Sequence, residues 1–136
     1  MPRRRHEPIW LDRLVLDAIH VDLLRTHGGL PGVRDENALE SALARPRQKW
    51  HYGRAMDLAN LAAAYGYGLA RNHPYRDGNK RIAFLAMAVF LGLNGKELDA
   101  TEADVVTTML QVAGGTLSEA GLAKWIRAHS IPYRDD

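Results

Sequence analysis

The chain has 136 residues, a length that fits one domain with a single hydrophobic core. Hydrophobic residues make up 46% and charged residues 25%, which excludes a disordered chain, and the absence of cysteine excludes disulfides and thiol chemistry. A net charge of only +2, from 18 Lys and Arg against 16 Asp and Glu, argues against direct nucleic-acid binding.

One domain is predicted to occupy residues 1–136, and its first ten residues are predicted to form a flexible basic N-terminal tail. Three consecutive arginines at a terminus are usually solvated, and the acidic residues that follow interrupt any signal-like apolar segment. The most apolar stretch, residues 82–93, is shorter than the roughly 20 residues that cross a bilayer. We therefore expect a cytoplasmic protein without membrane contact.

Two helices are predicted in the first part of the chain. The first, residues 11–27, ends at two glycines and has an apolar face made of Leu11, Leu14, Ala18 and Val21. The second helix begins after Asp35, which can cap it, and it is short because Pro46 should prevent its continuation. Residues 46–56 mix aromatic and basic side chains without a helical stripe, so we predict a loop or small hairpin there.

Four more helices are predicted in the rest of the chain. Asp57 starts the third, in which Gly66 and Gly68 allow close packing, and Thr101 and Ser118 cap the last two. The fourth begins near Asn79 and is apolar nearly all round, which places it at the centre of the fold. With no convincing strand, the chain is predicted to be all-α, a compact bundle of about six helices.

The most polar loop of the chain, residues 72–80, leads directly into this most apolar helix. A helix N-terminus offers unpaired N–H groups and a partial positive charge, and Gly78 lets the backbone approach an anion closely. Lys80 and Arg81 fall in the first turn, where a cation is unfavourable unless an anion is bound. This pattern predicts a phosphate site.

The same loop carries groups suited to phosphoryl transfer. Asp77 could hold Mg²⁺, and the imidazole of His73 could accept a proton from an attacking hydroxyl group. Tyr75 is placed to anchor the loop in the core, and Pro74 keeps His73 out of the preceding helix. From the residues alone, however, an ordinary interhelical loop with a surface histidine is the more common arrangement.

The nine residues HPYRDGNKR, positions 73–81, resemble the signature loop of the Fic/Doc (Fido) superfamily. Residues 28–35 and 39–43 are similar to the death-on-curing (Doc) branch, and the resemblance extends over about residues 12–130. It implies the six-helix Fido fold, with residues 45–54 as a flap that positions a target peptide. It also implies ATP and Mg²⁺ as cofactors.

The resemblance assigns a role to each residue of the loop. His73 would be the catalytic base, and Asp77 would bind Mg²⁺. The residues assigned to ATP binding, mainly to its phosphates, are Asn72, Gly78, Asn79, Lys80 and Arg81.

Two positions separate the chain from the adenylylating Fic enzymes, which usually carry Gly at Lys80 and a second Arg at Phe84. The Doc-like lysine implies reversed ATP binding, and hence transfer of the γ-phosphate to a Ser or Thr hydroxyl group. The implied protein is a toxin of a type II toxin–antitoxin system. Its leading target is elongation factor Tu, and its partner is a Phd-like antitoxin. A Fic-type adenylyltransferase and a non-catalytic Fido binding module remain as alternatives.

A metal hydrolase is disfavoured, because no two of the six histidines have the three- or four-residue spacing of helical ligand pairs. We expect His20 and His27, which are seven residues apart, to lie on the surface or in a groove. Trp50 and Tyr52 lie among cations but form only one short segment, which does not support a nucleic-acid module.

Overall fold

A computed structural model of the chain describes residues 6–53 and 56–134. Within these ranges six helices form a bundle, which confirms the predicted all-α class. They are α1 (Arg13–His27), α2 (Glu36–Tyr52), α3 (Leu58–Asn72), α4 (Asn79–Leu93), α5 (Glu102–Gly114) and α6 (Glu119–His129), with short strands β1 (Lys96–Leu98) and β2 (Ser130–Pro132). The first five residues of the predicted tail, and Arg54 at the end of the predicted flap, lie outside the described residues.

Five of these helices begin with a side chain that caps the first turn. The capping residues are Asp12, Asp35, Asp57, Thr101 and Ser118, which confirms the four caps predicted from the sequence. Helix α4 differs, because the residue at its start is Gly78, which has a left-handed backbone and no side chain to accept a hydrogen bond.

The centre of the bundle is α3, which contacts α2, α4, α5 and α6. Its small residues make this possible, since a Cβ on Gly66 would overlap Met87 of α4, and one on Gly68 would lie 3.3 Å from Ala42 of α2. The prediction that α4 is central is therefore only partly right. It packs along α3, but Leu93 at its end is 42% exposed.

The predicted apolar face of α1 was wrong except at Leu11, which is buried but lies before the helix. Leu14 and Val21 are 81% and 49% exposed, and the residues that α1 buries are Leu16, His20 and Leu23. The buried face includes a histidine because it meets polar groups of the loop before α4, described below. A search for an apolar stripe cannot find a face of this kind.

The prediction that α2 stops at Pro46 was also wrong, because α2 runs through Pro46 to Tyr52. The proline lacks the N–H that would bond to the carbonyl four residues earlier. It is nevertheless buried on the same face as Leu39 and Leu43, which packs against α3. This tertiary packing offsets the missing helix hydrogen bond. Residues 45–52 of the predicted flap are therefore helical rather than a loop or hairpin.

A small antiparallel sheet was not predicted. Strand β1 pairs with β2 in the register Lys96 with Pro132 and Leu98 with Ser130. Three-residue strands are too short to show the alternation that identifies a strand in sequence.

The chain before α1 is attached to the bundle at its last residues. The N–H of Ile9 donates to Asn94 Oδ1 at 2.8 Å, and the ring of Trp10 stacks on Phe90. Among the described residues, no helix combines the length and apolarity required to span a membrane.

The close packing of α3 on α4 gives a stability prediction. We expect Gly66→Ala to lower the free energy of unfolding by about 1–3 kcal/mol, because the new methyl group must displace the fully buried Met87. Gly114→Ala is the matched control, since its Cβ would meet nothing within 4 Å, and it should be neutral or slightly stabilising. Urea denaturation measures both, and equal stabilities for the two variants would contradict the packing argument.

Candidate active site

The polar loop between α3 and α4 begins at His73, which lies at the end of α3. Its φ of 47° and ψ of 57° place it in the left-handed region, and among the described residues it is the only non-glycine residue with positive φ. Its side chain is exposed. A left-handed non-glycine residue costs free energy, so the surrounding contacts must hold it in this conformation.

The interior of the loop is closed by Asn79, the first residue of α4. Its Oδ1 accepts from the N–H of Tyr75 at 3.0 Å, and its Nδ2 donates to the carbonyl of Tyr75 at 2.9 Å. Both ends of the side-chain amide are therefore held by the backbone of the loop, which gives Asn79 a structural role. The sequence pattern did not reveal this structural role.

Tyr75 anchors the loop in the core, as predicted. It is 2% exposed, its hydroxyl donates to Asp17 Oδ1 at 2.7 Å, and its ring stacks on His20 with 3.8 Å between the ring centroids. Burial, together with this donation to a carboxylate, raises the pKa of Tyr75 well above that of an ordinary tyrosine.

The expectation that His20 is a surface or groove residue was wrong, because it is 3% exposed. Its Nε2 lies 2.8 Å from the backbone carbonyl oxygen of Asp77. Because a carbonyl oxygen can only accept a hydrogen bond, Nε2 carries the proton and donates it. His20 thus connects α1 to the residue predicted to bind the metal. Its polar character concealed this packing role in the sequence.

The carboxylate of Asp77 is half-buried and accepts from the N–H of Leu30 through Oδ2 at 2.6 Å. The chain after α1 lies directly against it, since a Cβ on Gly29 would be 3.1 Å from Asp77 Cβ. No group of three or more potential metal ligands occurs among the described residues. A single fixed carboxylate nevertheless fits Mg²⁺, which is commonly held by one or two carboxylates together with substrate phosphates.

A cleft of about 260 Å³ lies at the start of α4. It is lined by Leu23, Leu24, His27, Gly28, Gly29, Asp77, Gly78 and Arg81. The structure thus brings together three of the predicted site residues, which are Asp77, Gly78 and Arg81. Asn72, His73 and Lys80 are close to these residues in sequence and are exposed, but they do not line the cleft. The roles assigned to all of them stay predictions.

The N-terminus of α4 has the features of an anion site. The first intrahelical hydrogen bond runs from Ile82 N–H to the carbonyl of Gly78 at 2.9 Å, so the three N–H groups before Ile82 have no acceptor within the helix. Among the described residues, Lys80 and Arg81 form no ion pair with a carboxylate. Within the described part of the chain, two unpaired cations therefore meet three amides, those of residues 79–81, that are free of an acceptor in the helix.

The segment before α2 also holds the loop. The N–H groups of Arg34 and Asp35 both donate to the carbonyl of Pro74, and Val33 forms an isolated bridge with Tyr75. The side chain of Arg34 donates to the carbonyl of His73 at 2.8 Å. No local pattern in the sequence predicts these contacts, and only the similarity of residues 28–35 to the Doc branch indicated that the segment matters.

Comparison with known proteins agrees with this architecture. The model of the Fic/DOC family matches residues 10–91, more than half of the chain. Protein kinase doc of Escherichia phage P1 is 32% identical over 113 residues, which cover 82% of this chain and 88% of that protein. Toxin Doc of Mycolicibacterium smegmatis is 44% identical over 77 residues, which cover 54% of this chain and 57% of that protein.

The chain therefore belongs to the Fic/DOC family. The resemblance of its loop to the Fido signature, and of its flanking segments to the Doc branch, is confirmed.

The buried contact between Tyr75 and Asp17 makes stability depend on pH. We expect Tyr75→Phe to lower the free energy of unfolding by about 1–2 kcal/mol near pH 8, because a hydrogen bond to a carboxylate is lost. The raised pKa means that the folded state holds the phenolic proton more tightly than the unfolded chain, in which tyrosine ionises near pH 10. The stabilisation is therefore complete below about pH 10 and is lost above it.

Urea denaturation from pH 8 to pH 11 measures this effect. The difference between the wild type and Tyr75→Phe should shrink as the pH rises above 10. Tyr52→Phe is the control, because Tyr52 is 89% exposed and should have no effect at any pH. A difference for Tyr75→Phe that stays constant up to pH 11 would disprove the linkage.

Proposed function

We propose that the protein is a Doc-type toxin and a protein kinase, which transfers the γ-phosphate of ATP to a serine or threonine hydroxyl group. The observation that carries the proposal is the start of α4, which has free backbone amides and two cations beside a fixed carboxylate. Such a helix end favours a polyanion, and phosphoryl transfer needs positioned charge more than covalent chemistry. The name of the phage P1 relative, a protein kinase, supports the reaction type.

In this proposal the chain's own residues position the nucleotide. The amides of residues 79–81 donate to phosphate oxygens, and Gly78 allows the close approach because it has no side chain. Arg81 lines the cleft and can bind two phosphate oxygens at once. Lys80 adds a second positive charge in the same turn. Together they offset the negative charge of the triphosphate.

Asp77 would hold Mg²⁺ through its carboxylate, which the hydrogen bond from the N–H of Leu30 to Oδ2 keeps in place. When bound, the ion would neutralise phosphate charge. The hydrogen bond from His20 to the carbonyl of Asp77 fixes the backbone of that residue. A ligand held in this way does not have to be ordered when the metal binds.

The proposed step uses His73 as the base. Its imidazole takes the proton of the target hydroxyl group, whose oxygen then forms a bond to the γ-phosphorus. The bond between the γ-phosphorus and the oxygen that bridges it to the β-phosphate breaks, and ADP leaves. The exposure of His73 suits a protein substrate, since a large target can reach an exposed imidazole but not a buried one.

The biological setting follows from the relatives and is part of the proposal. Two similar proteins carry the name Doc, one as a kinase and one as a toxin. We propose a translation factor as the target, with elongation factor Tu as the leading candidate, and growth arrest as the consequence. A Phd-like antitoxin would neutralise the protein by covering the site.

An assay with ATP labelled at either the α- or the γ-phosphate tests the reaction, with purified elongation factor Tu as acceptor. We expect label from the γ position only. His73→Ala should lower transfer by roughly 100-fold or more, because general-base catalysis contributes about that much. His6→Ala, which alters an exposed histidine of the N-terminal segment, should leave transfer unchanged.

The other outcomes of the assay are equally decisive. Label from the α position would replace the kinase with an adenylyltransferase. Absence of label from both positions, with elongation factor Tu and with a whole-cell extract, would reject the enzyme and leave a binding module. Full transfer by His73→Ala would remove His73 from the mechanism.

A further inference from the structure

We propose that Arg34 is a positioning residue, which holds His73 in the left-handed conformation from which its imidazole acts. The inference rests on the proposed function of His73. The guanidinium group of Arg34 bridges the end of α3, where its Nε donates to the carbonyl of His73 at 2.8 Å and its Nη2 donates to the carbonyl of Asn72 at 3.0 Å.

The end of α3 needs an external donor for a reason that the sequence supplies. A helix that ends in a left-handed residue is usually closed by N–H groups of that residue and the next one, which bond back to the last turn. Here the next residue is Pro74, which has no N–H. The cap at His73 also shows no backbone hydrogen bond of the kind seen at the glycine caps of α1 and α5. Arg34 provides donors at this end of the helix by a different route, because it bonds to the terminal carbonyls of Asn72 and His73 themselves.

Charge and backbone geometry both suit this role. The C-terminal end of a helix carries a partial negative charge, so a guanidinium group is favourable there. Arg34 itself is held close to the loop, because its N–H donates to the carbonyl of Pro74 at 2.8 Å. A short, fixed path therefore connects the start of α2 to the backbone of His73.

The conformation of His73 decides where its imidazole lies. The direction of the bond from Cα to Cβ is set by the backbone, and a left-handed residue at φ 47° presents its side chain differently from a helical or extended one. Displacement of a catalytic group by about 1 Å can cost roughly 100-fold in rate. Loss of the Arg34 contacts would therefore impair catalysis without altering the nucleotide site.

Three variants test the proposal. In Arg34→Ala both hydrogen bonds are lost, and in Arg34→Lys a positive charge remains that can reach a carbonyl but cannot bridge two in a fixed geometry. The matched control is Arg127→Ala, since Arg127 binds Asp57, the cap at the opposite end of the same helix. Arg127 belongs to α6, so this control removes an arginine contact at the start of α3 without touching the loop.

For γ-phosphate transfer to elongation factor Tu, we expect Arg34→Ala to lower kcat by about 10- to 100-fold, with KM for ATP changed less than about twofold. Arg34→Lys should fall between this variant and the wild type. Arg127→Ala should keep wild-type kcat per folded molecule. NMR reports the backbone conformation of His73 through the coupling between its N–H and Hα protons and through its backbone chemical shifts. Both should depart from left-handed values in Arg34→Ala, depart less in Arg34→Lys and stay unchanged in Arg127→Ala.

Wild-type kcat in Arg34→Ala, or an equal loss in Arg127→Ala, would overturn the positioning role. The NMR measurement separates this inference from the proposed function, because it needs no transfer. If the wild type transfers no phosphate, the proposed kinase fails, while the NMR data still decide whether Arg34 holds His73. Left-handed values of His73 that persist in Arg34→Ala would reject the inference even if the kinase is established.

Discussion

The free amides at the start of α4 are the feature on which the rest of the site depends. The five other described helices begin with a capping side chain, whereas α4 begins at Gly78, which provides none. With Lys80 and Arg81 in the same turn, this end concentrates positive potential that no carboxylate of the described residues neutralises by an ion pair. An anionic ligand supplies the partner that the helix lacks.

An uncapped, cationic helix end must be held in place by contacts elsewhere, and two groups of contacts do this. From α1, Asp17 binds the hydroxyl of Tyr75, and His20 stacks on Tyr75 and donates to the carbonyl of Asp77. From the segment before α2, Arg34 and its neighbours bind the carbonyls at the end of α3. The loop is thus fixed from both sides, while Lys80 and Arg81 stay exposed.

The sequence predicted the elements of the fold well where local chemistry decides them. The caps at Asp57, Thr101 and Ser118 were correct because a short polar side chain before an apolar run acts within one turn. Predictions failed where tertiary contacts decide the outcome. Pro46 continues a helix because it is buried against α3, and His20 is buried because the loop offers it a carbonyl. The polar loop before an apolar helix indicated a phosphate site, and the resemblance to a family gave it a function, whereas the positions of its side chains required the structure.

The most direct test of the account is a titration of the ¹⁵N-labelled protein with a non-hydrolysable ATP analogue and Mg²⁺, followed through backbone amide chemical shifts. We expect the largest changes at Asn79, Lys80 and Arg81, the residues whose amides lack an intrahelical acceptor, and no comparable changes there with adenosine. Largest changes in another part of the chain, or equal changes with adenosine, would contradict the claim that the start of α4 binds the triphosphate.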